Sequence, residues 1–174
     1  FRSDSEAIDF SCLKSDINKR KWKYFLSNVS DLSILKEKGR VLGKKLRMEV
    51  DSALGKNMQL RDAAFDQFCK ARFKVTTAYE SWDALNVGCR DYDAVIVGSD
   101  QLWLPSNVEG DYYTLNFVPN DVKKIAYATS FGIENIPQKM EHLYSQFLKR
   151  IEYLSAREFS GQEIIKKCIN RDVP

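Results

Sequence analysis

Apolar and polar positions alternate regularly only in the part of the chain that follows residue 59. Residues 93–98 form a short apolar run rich in β-branched side chains, which is typical of a parallel-sheet strand covered on both faces. Residues 124–129 form a second such run, and residues 153–156 predict a third, shorter strand. Residues 112–118 suit either a further strand or an extended loop.

Apolar residues at helical spacing predict three helices around these strands. The first ends near Phe73 and has a core-facing stripe of Leu60, Ala64, Phe68 and Ala71, widened by Phe65. The second begins near Pro137 and buries Met140, Leu143, Phe147, Ile151 and Leu154. The third is opened at Ser160 by the capping-box form S-x-x-E and runs through Cys168. This order of elements predicts a doubly wound α/β layer.

The first part of the chain is less regular. Residues 1–30 show little periodicity, and residues 31–58 mix helix formers with Gly39, Gly43 and Gly55, so any helix there should be short or broken. With 174 residues, the chain can bury one sizeable core. We therefore expect one domain, with a basic and mainly helical insert region over residues 1–75 and strand and helix alternation over residues 76–174.

Composition narrows the class of protein. Hydrophobic residues make up 44% of the chain, the mean hydropathy is −0.42, and no segment has the apolar length of a membrane span or the layout of a signal peptide. The four cysteines lie far apart and form no CxxC pair, so they predict neither a zinc site nor a thiol-disulfide motif. A cytoplasmic protein with reduced thiols fits these features, and the chain reads as a fragment of something longer because it begins with Phe1.

Charge divides the chain unevenly. Residues 1–75 hold 17 Lys and Arg against 10 Asp and Glu, a net charge of +7, whereas residues 76–174 have a net charge of −4. Residues 19–25 interleave bases with aromatic residues, a pattern compatible with a nucleic-acid surface or with anionic lipid headgroups. Because the run is short and no recognition module accompanies it, we expect a solvated basic face and no nucleic-acid partner.

Three polar clusters follow the predicted strands, at the sheet edge where ligands bind in open α/β folds. The first is Gly98-Ser99-Asp100-Gln101, in which Gly98 permits close backbone approach and Asp100 offers a carboxylate. The second contains Ser130 and Gly132. The third is Arg157, just before the predicted helix N-terminus, a combination suited to phosphate or carboxylate.

Each cluster also has a purely structural interpretation. Ser99 and Asp100 could cap a turn, Ser130 and Gly132 could form an ordinary strand-ending turn, and Arg157 could pair with a nearby acid. Their joint placement at three successive strand ends favours a site. Trp103 could be a sugar-stacking platform, although a buried role is commoner for such a residue. His142 should point to solvent, because it lies beside Leu143 of the buried stripe.

Four short motifs follow one another over residues 92–173. The segments YDAVIVGSDQLW (92–103), YTLNF (113–117), KIAYATSFG (124–132) and SARE (155–158), followed by Ser160 and Gly161, resemble the polysaccharide pyruvyl transferase family. The basic region before them is similar to the variable insert of that family.

The resemblance implies a Rossmann-like layer that forms the N-terminal half of a two-domain fold of the glycosyltransferase B type. Members transfer pyruvate from phosphoenolpyruvate to a sugar of a cell-surface polysaccharide as a cyclic ketal, with no separate cofactor. The family's opening strand and its second domain, which brings a histidine suited to acid catalysis, are not in this sequence, so we expect the fragment alone to be inactive.

Ketal formation needs an acid, a base and cations. Asp100 could act as the base or orient acceptor hydroxyls. Arg157 could hold the donor's phosphate or carboxylate without a metal. Gly98, Ser99, Gln101, Trp103, Ser130 and Gly132 are the remaining candidates for substrate binding. Alternatives are a nucleotide-sugar glycosyltransferase of the same fold and a noncatalytic glycan-binding or membrane-binding module. The acceptor saccharide could be lipid-linked.

Overall fold

The computed structural model describes residues 5–28 and 52–174. Its helices and strands alternate for most of the chain, and two short 3-10 turns, Cys89–Asp91 and Gln138–Met140, interrupt the pattern. The elements in chain order are β1 (Glu6–Ala7), α1 (Lys14–Ser27), α2 (Ser52–Arg72), β2 (Lys74–Val75), α3 (Trp82–Gly88), β3 (Ala94–Gly98), α4 (Pro105–Glu109), β4 (Lys123–Thr129), α5 (Glu141–Lys149), β5 (Tyr153–Ala156) and α6 (Phe159–Ile169).

The chain divides into two compact units. One consists of Phe1–Phe10 and Phe25–Ala78, and the other of Ser11–Tyr24 and Tyr79–Pro174. In the first unit, β1 and β2 pair in parallel, with Glu6 opposite Lys74 and Ala7 opposite Val75. The main-chain N–H of Asp9 donates to Thr76 Oγ1 at 3.1 Å, which extends this pairing by one contact.

Helix α2 corrects two expectations about the first unit. It is continuous through Gly55, so the predicted break does not occur within residues 52–58, while residues 31–51 lie outside the described residues. The helix ends at Arg72, close to the predicted Phe73. Its expected core-facing stripe is wrong, because Leu60, Phe65 and Phe68 are all exposed.

The second unit contains a parallel sheet in the order β3-β4-β5. Ile96 lies opposite Ile125, and Ile125 lies opposite Tyr153. The three predicted strands are thereby confirmed, and residues 112–118 form a loop rather than a strand. The chain is α/β with parallel pairing, as the pattern of apolar runs predicted.

Only one face of this sheet is buried. Val95, Val97, Ala126 and Leu154 point into the core, whereas Ile96, Tyr127 and Tyr153 are 60–68% exposed on the opposite face. The expectation that β3 is covered on both faces is therefore wrong for the described residues. An apolar run predicts a strand, but it does not reveal which of its faces another element covers.

Helix α5 packs on the buried side through Tyr144, Phe147 and Leu148, and Met140 and Ile151 flank it in the core. Most of the predicted stripe is buried, although Leu143 is only half-buried and Tyr144 takes its place. His142 is exposed, as predicted.

Helix α6 begins two residues earlier than the capping-box pattern indicated. Its N-cap is Glu158, whose side chain makes no capping hydrogen bond, and Ser160 lies in the first turn. The predicted capping box is therefore wrong. The Glu158 carbonyl accepts from the N–H groups of Gly161 and Gln162, while the Glu158 side chain accepts none from the first turn of the helix.

Candidate functional site

The carboxyl ends of β3, β4 and β5 lie along one edge of the sheet because the three strands are parallel. An open pocket of about 280 Å³ lies at this edge. Its lining residues come from the segments after each strand: Gln101, Ser130, Gly132, Ile133, Glu134, Arg157, Glu158 and Ser160. All three polar clusters of the sequence thus reach one site, as the order of strands predicted.

Gly98 ends β3 against the neighbouring strand. Its φ is 152°, and a Cβ at this position would lie 2.1 Å from the carbonyl oxygen of Tyr127. The close backbone approach expected at Gly98 is therefore made to β4. Only glycine fits at this point of the register.

Asp100 projects into solvent from the turn that follows. Its side chain is 80% exposed, and Oδ1 accepts a hydrogen bond of 2.7 Å from the Gln101 N–H. The Asp100 carbonyl accepts from the Ser130 N–H at 3.0 Å, which joins the first and second clusters. The carboxylate therefore caps its own turn and keeps its other oxygen available to a ligand.

Ser130 is buried, and its hydroxyl is used within the protein. Oγ donates to Glu158 Oε1 at 2.8 Å and accepts from the Gly132 N–H at 3.1 Å. Gly132 has a φ of 64°, which favours glycine, and lies against the Gln101 side chain. The second cluster shapes the pocket wall chiefly through its backbone.

Arg157 reaches across to the first cluster. Its Nη1 donates to the Ser99 carbonyl at 3.2 Å and lies 3.6 Å from Asp100 Oδ1. Its Nε lies 3.8 Å from Glu158 Oε2. The guanidinium is thus held between two carboxylates and still lines the open pocket.

Trp103 does not line the pocket. It is fully buried, its ring packs against Phe131 and Phe147, and its Nε1 donates to the Tyr113 carbonyl at 3.0 Å. Tyr144 donates in turn to the Trp103 carbonyl at 2.6 Å. The expected sugar-binding role of Trp103 is therefore wrong, because a buried ring already satisfied at its N–H has no surface left for a substrate.

The pocket also contains residues that the sequence pattern did not single out. Glu158 had appeared only within the family motif SARE, Ser160 only as a predicted helix cap and in the same motif region, and Glu134 and Ile133 had no assigned role. The sequence did not reveal these residues because the pocket forms only when residues near 133 and residues near 158 come together at the ends of two neighbouring strands.

Tyr113 lies within electrostatic reach of this edge. Burial, followed by the nearby negative charge of Asp100, raises the pKa of its phenol above the usual range.

The described residues contain no group of three or more His, Cys, Asp or Glu side chains arranged to hold a metal ion. No helix among them has the length and apolar character needed to cross a membrane.

Comparison with known proteins gives one match. The family model of polysaccharide pyruvyl transferase matches residues 1–173, nearly the whole chain. No curated protein and no solved structure matches significantly. The family match covers both the basic first part and the strand-end motifs that build the pocket, so the chain belongs to the polysaccharide pyruvyl transferase family.

Proposed function

We propose that the pocket forms one wall of an active site that transfers pyruvate from phosphoenolpyruvate to a sugar of a cell-surface polysaccharide, as a ketal. The observation that carries this proposal is the convergence of Asp100, Arg157 and the Ser130–Gly132 turn at one sheet edge of a chain in this family. In this proposal the chain is the N-terminal half of a cytoplasmic enzyme of the glycosyltransferase B type. A second domain supplies the opposite wall.

The reaction makes two C–O bonds and one C–H bond, and it breaks the C=C π bond, the C–O bond to phosphate and the two O–H bonds of the acceptor. A proton adds to the methylene carbon of the donor, a sugar hydroxyl attacks the adjacent carbon and loses its proton, and phosphate leaves with its bridging oxygen. A second hydroxyl of the sugar then closes the ketal, and its proton passes to the departing phosphate. Asp100, with one carboxylate oxygen still available, orients the attacking hydroxyl and accepts its proton. Arg157 holds the anionic part of the donor beside the uncapped start of α6.

The charges of the pocket bear on the rest of the enzyme. Among the described residues, Arg157 is the one cation that lines the pocket, together with the carboxylates of Glu134 and Glu158, and the Asp100 carboxylate lies 3.6 Å from Arg157 Nη1 beside the pocket. A phosphorylated carboxylate is not neutralised by such a set. We therefore expect the second domain to bring further cations, together with the histidine that protonates the methylene carbon.

The experiment is phosphoenolpyruvate-dependent ketal formation by the full-length protein on glycan acceptors, including lipid-linked ones. Asp100→Asn and Arg157→Ala should each lower the rate by about a hundredfold, because one removes a base and the other the donor's cation. Lys139→Ala, at an exposed site away from the pocket, is the matched control. A wild-type protein that forms no ketal on any acceptor tested would count against the proposal.

Thermal unfolding with candidate donors separates this activity from nucleotide-sugar transfer. We expect phosphoenolpyruvate to raise the melting temperature of the full-length protein and a panel of nucleotide sugars to leave it unchanged. The opposite result would assign the pocket to a glycosyltransferase.

Helix α1 supports a second role, peripheral contact with anionic membrane. Arg20 and Lys21 of the basic segment are engaged within the protein: Arg20 pairs with Asp16 at 3.0 Å, and Lys21 donates to Asn107 at 2.8 Å. The exposed side chains of the helix include Lys14, Lys19, Lys23 and Trp22. Lysines flanking an exposed tryptophan suit a lipid headgroup region, where a lipid-linked acceptor would be found.

Sedimentation with vesicles of anionic and of neutral phospholipid tests this role. The triple change of Lys14, Lys19 and Lys23 to Gln should reduce binding to anionic vesicles by on the order of a hundredfold, at about 1 kcal/mol for each lysine. A Lys123→Gln, Lys139→Gln protein keeps this face and should bind as the wild type does. Equal sedimentation of all three proteins would remove the support for membrane contact.

A further inference from the structure

The carboxylate of Glu158 joins the ends of two strands. Oε1 accepts from Ser130 Oγ at 2.8 Å and from the Phe131 N–H at 3.0 Å, both just after β4. Oε2 faces Arg157 Nε at 3.8 Å, just after β5. Because Ser130 Oγ also accepts from the Gly132 N–H, one carboxylate is hydrogen-bonded to the turn that lines the pocket and lies at ion-pair distance from the arginine beside it.

These contacts determine what Glu158 can do. Oε1 accepts two hydrogen bonds, and Oε2 lies at ion-pair distance from Arg157 Nε. Giving a proton to a substrate would require Glu158 to abandon contacts that hold the pocket wall. Its position therefore favours an indirect role over acid catalysis.

Arg157 is restrained from two sides. Glu158 lies at Nε, while Asp100 and the Ser99 carbonyl lie at Nη1. Among the described residues, Nη2 has no partner, so this nitrogen of the planar fork is the one that can meet a ligand. A guanidinium fixed at two of its nitrogens loses little freedom when its third binds.

We propose that Glu158 is a positioning residue that aims Arg157 and holds the Ser130–Gly132 turn in the shape that receives the donor. This inference rests on the proposed function, in which Arg157 binds the anionic part of phosphoenolpyruvate. It makes a prediction opposite to that of simple charge balance. Removing a negative charge beside an anion site should tighten anion binding, whereas losing the alignment of Arg157 should weaken it.

Glu158→Gln in the full-length protein separates these effects. The Gln side-chain oxygen can still accept from Ser130 and Phe131, but the amide group that replaces Oε2 is a donor facing another donor, Arg157 Nε. We expect the KM for phosphoenolpyruvate to rise about tenfold with kcat less affected, and Glu158→Asp to recover part of the loss. Donor binding by Glu158→Gln as tight as, or tighter than, that of the wild type would overturn the proposal.

Amide hydrogen exchange gives a readout that needs no substrate. Glu158→Ala should speed exchange of the Phe131 N–H by on the order of tenfold, while Glu158→Gln leaves it close to the wild type and Glu163→Gln, at an exposed site on α6, changes neither exchange nor KM. Unchanged exchange in Glu158→Ala would overturn the role in the turn. If the wild type neither binds nor uses phosphoenolpyruvate, the proposed function fails, and the exchange result still decides whether Glu158 holds the turn.

Discussion

The two edges of the β3-β4-β5 sheet both carry cationic side chains but use them differently. At the amino edge, Lys124 and Arg150 donate to main-chain carbonyls: Lys124 Nζ to Pro119 and Val122 at 2.8 and 2.9 Å, Arg150 to Asn116 and Val118 at 2.9 and 2.8 Å. At the carboxyl edge, Arg157 donates one hydrogen bond, to the Ser99 carbonyl at 3.2 Å, and otherwise faces the carboxylates of Asp100 and Glu158 beside an open pocket.

The difference indicates which edge can respond to a ligand. A buried carbonyl that loses its donor is left unsatisfied at a cost, so the amino-edge cations are fixed. Exposed ion pairs can orient a side chain, but they contribute little to the free energy of unfolding. We infer that the cations at the amino edge hold the fold, and that Arg157 at the carboxyl edge adds little to stability and is available to a substrate.

The largest loss of stability should come from Gly98, because its position at the carboxyl edge leaves no room for a side chain. Gly98→Ala would place a methyl group 2.1 Å from the Tyr127 carbonyl oxygen, at a φ that side chains rarely adopt. We expect the free energy of unfolding, measured by urea titration, to fall by about 4 kcal/mol.

Gly110→Ala is the matched control. Gly110 has a helical φ of −64°, and the nearest atom to its added Cβ is at 3.0 Å on the flexible Lys21 side chain. Its change should stay within about 1 kcal/mol. If the two alanine variants lost equal unfolding free energy, the backbone around Gly98 would be able to accommodate a Cβ with little strain.

The amino edge should be nearly as sensitive, at Lys124. Lys124→Ala removes a fully buried side chain and leaves the Pro119 and Val122 carbonyls without their donor. The free energy of unfolding should therefore be about 3 kcal/mol lower than in the wild type.

The neighbouring Lys123 is exposed on the same strand and provides the control. Lys123→Ala should change the free energy of unfolding by no more than about 0.5 kcal/mol. If Lys124→Ala were equally mild, the amino edge would not be the fixed one, and the contrast between the two edges would be lost.

Prediction from the sequence was correct for elements whose conformation is determined by their own residues. The runs that became β3, β4 and β5 are apolar and β-branched, so each specifies a strand without reference to distant residues. Strand order then placed Asp100, Ser130 and Arg157 at one edge. Residues 1–75 were predicted to be mainly helical, but no bounds were predicted for α1. Its two buried residues, Ile17 and Tyr24, lie within a strongly basic segment.

What failed depended on distant contacts. Nothing in residues 93–98 shows that Ile96 lies on the exposed face, and nothing around Trp103 shows that Phe131 and Phe147 enclose it. The role of Glu158 depends on its meeting Ser130 across two strands, 28 residues apart in sequence. Local patterns identify elements, whereas the chemistry of a site depends on which elements meet.

A smaller, pH-dependent change in the free energy of unfolding tests whether the amino edge is closed to water. Burial raises the pKa of the Cys89 thiol, in the turn before β3, from 9.0 to about 11. Since the folded-state pKa is the higher one, the buried thiol contributes its stability in full below pH 9 and loses it as the pH rises towards 11. Relative to Cys89→Ala, the wild type should lose about 2 kcal/mol of unfolding free energy between pH 8 and pH 10.5.

Comparing the two proteins at each pH cancels the titration of the other tyrosines, lysines and cysteines. A difference between them that stays constant from pH 8 to pH 10.5 would show that water reaches Cys89 in the folded state. The amino edge would then be less enclosed than its carbonyl contacts indicate.

The smallest effect distinguishes the two edges most directly, because it makes the same substitution at each. Arg157→Lys keeps the charge but loses the planar fork, so in the full-length protein the affinity for phosphoenolpyruvate should fall about tenfold while the free energy of unfolding changes by less than 1 kcal/mol. Arg150→Lys cannot reach both Asn116 and Val118 with one ammonium in the same geometry, so it should lose about 1 to 2 kcal/mol of stability and keep its donor affinity. Calorimetric titration with phosphoenolpyruvate and urea unfolding of both variants give the four values required. If the affinity for phosphoenolpyruvate falls equally in the two variants, or if the free energy of unfolding does, the proposed difference between the edges is wrong. In that case Arg157 would not serve chiefly the ligand, nor Arg150 chiefly the fold.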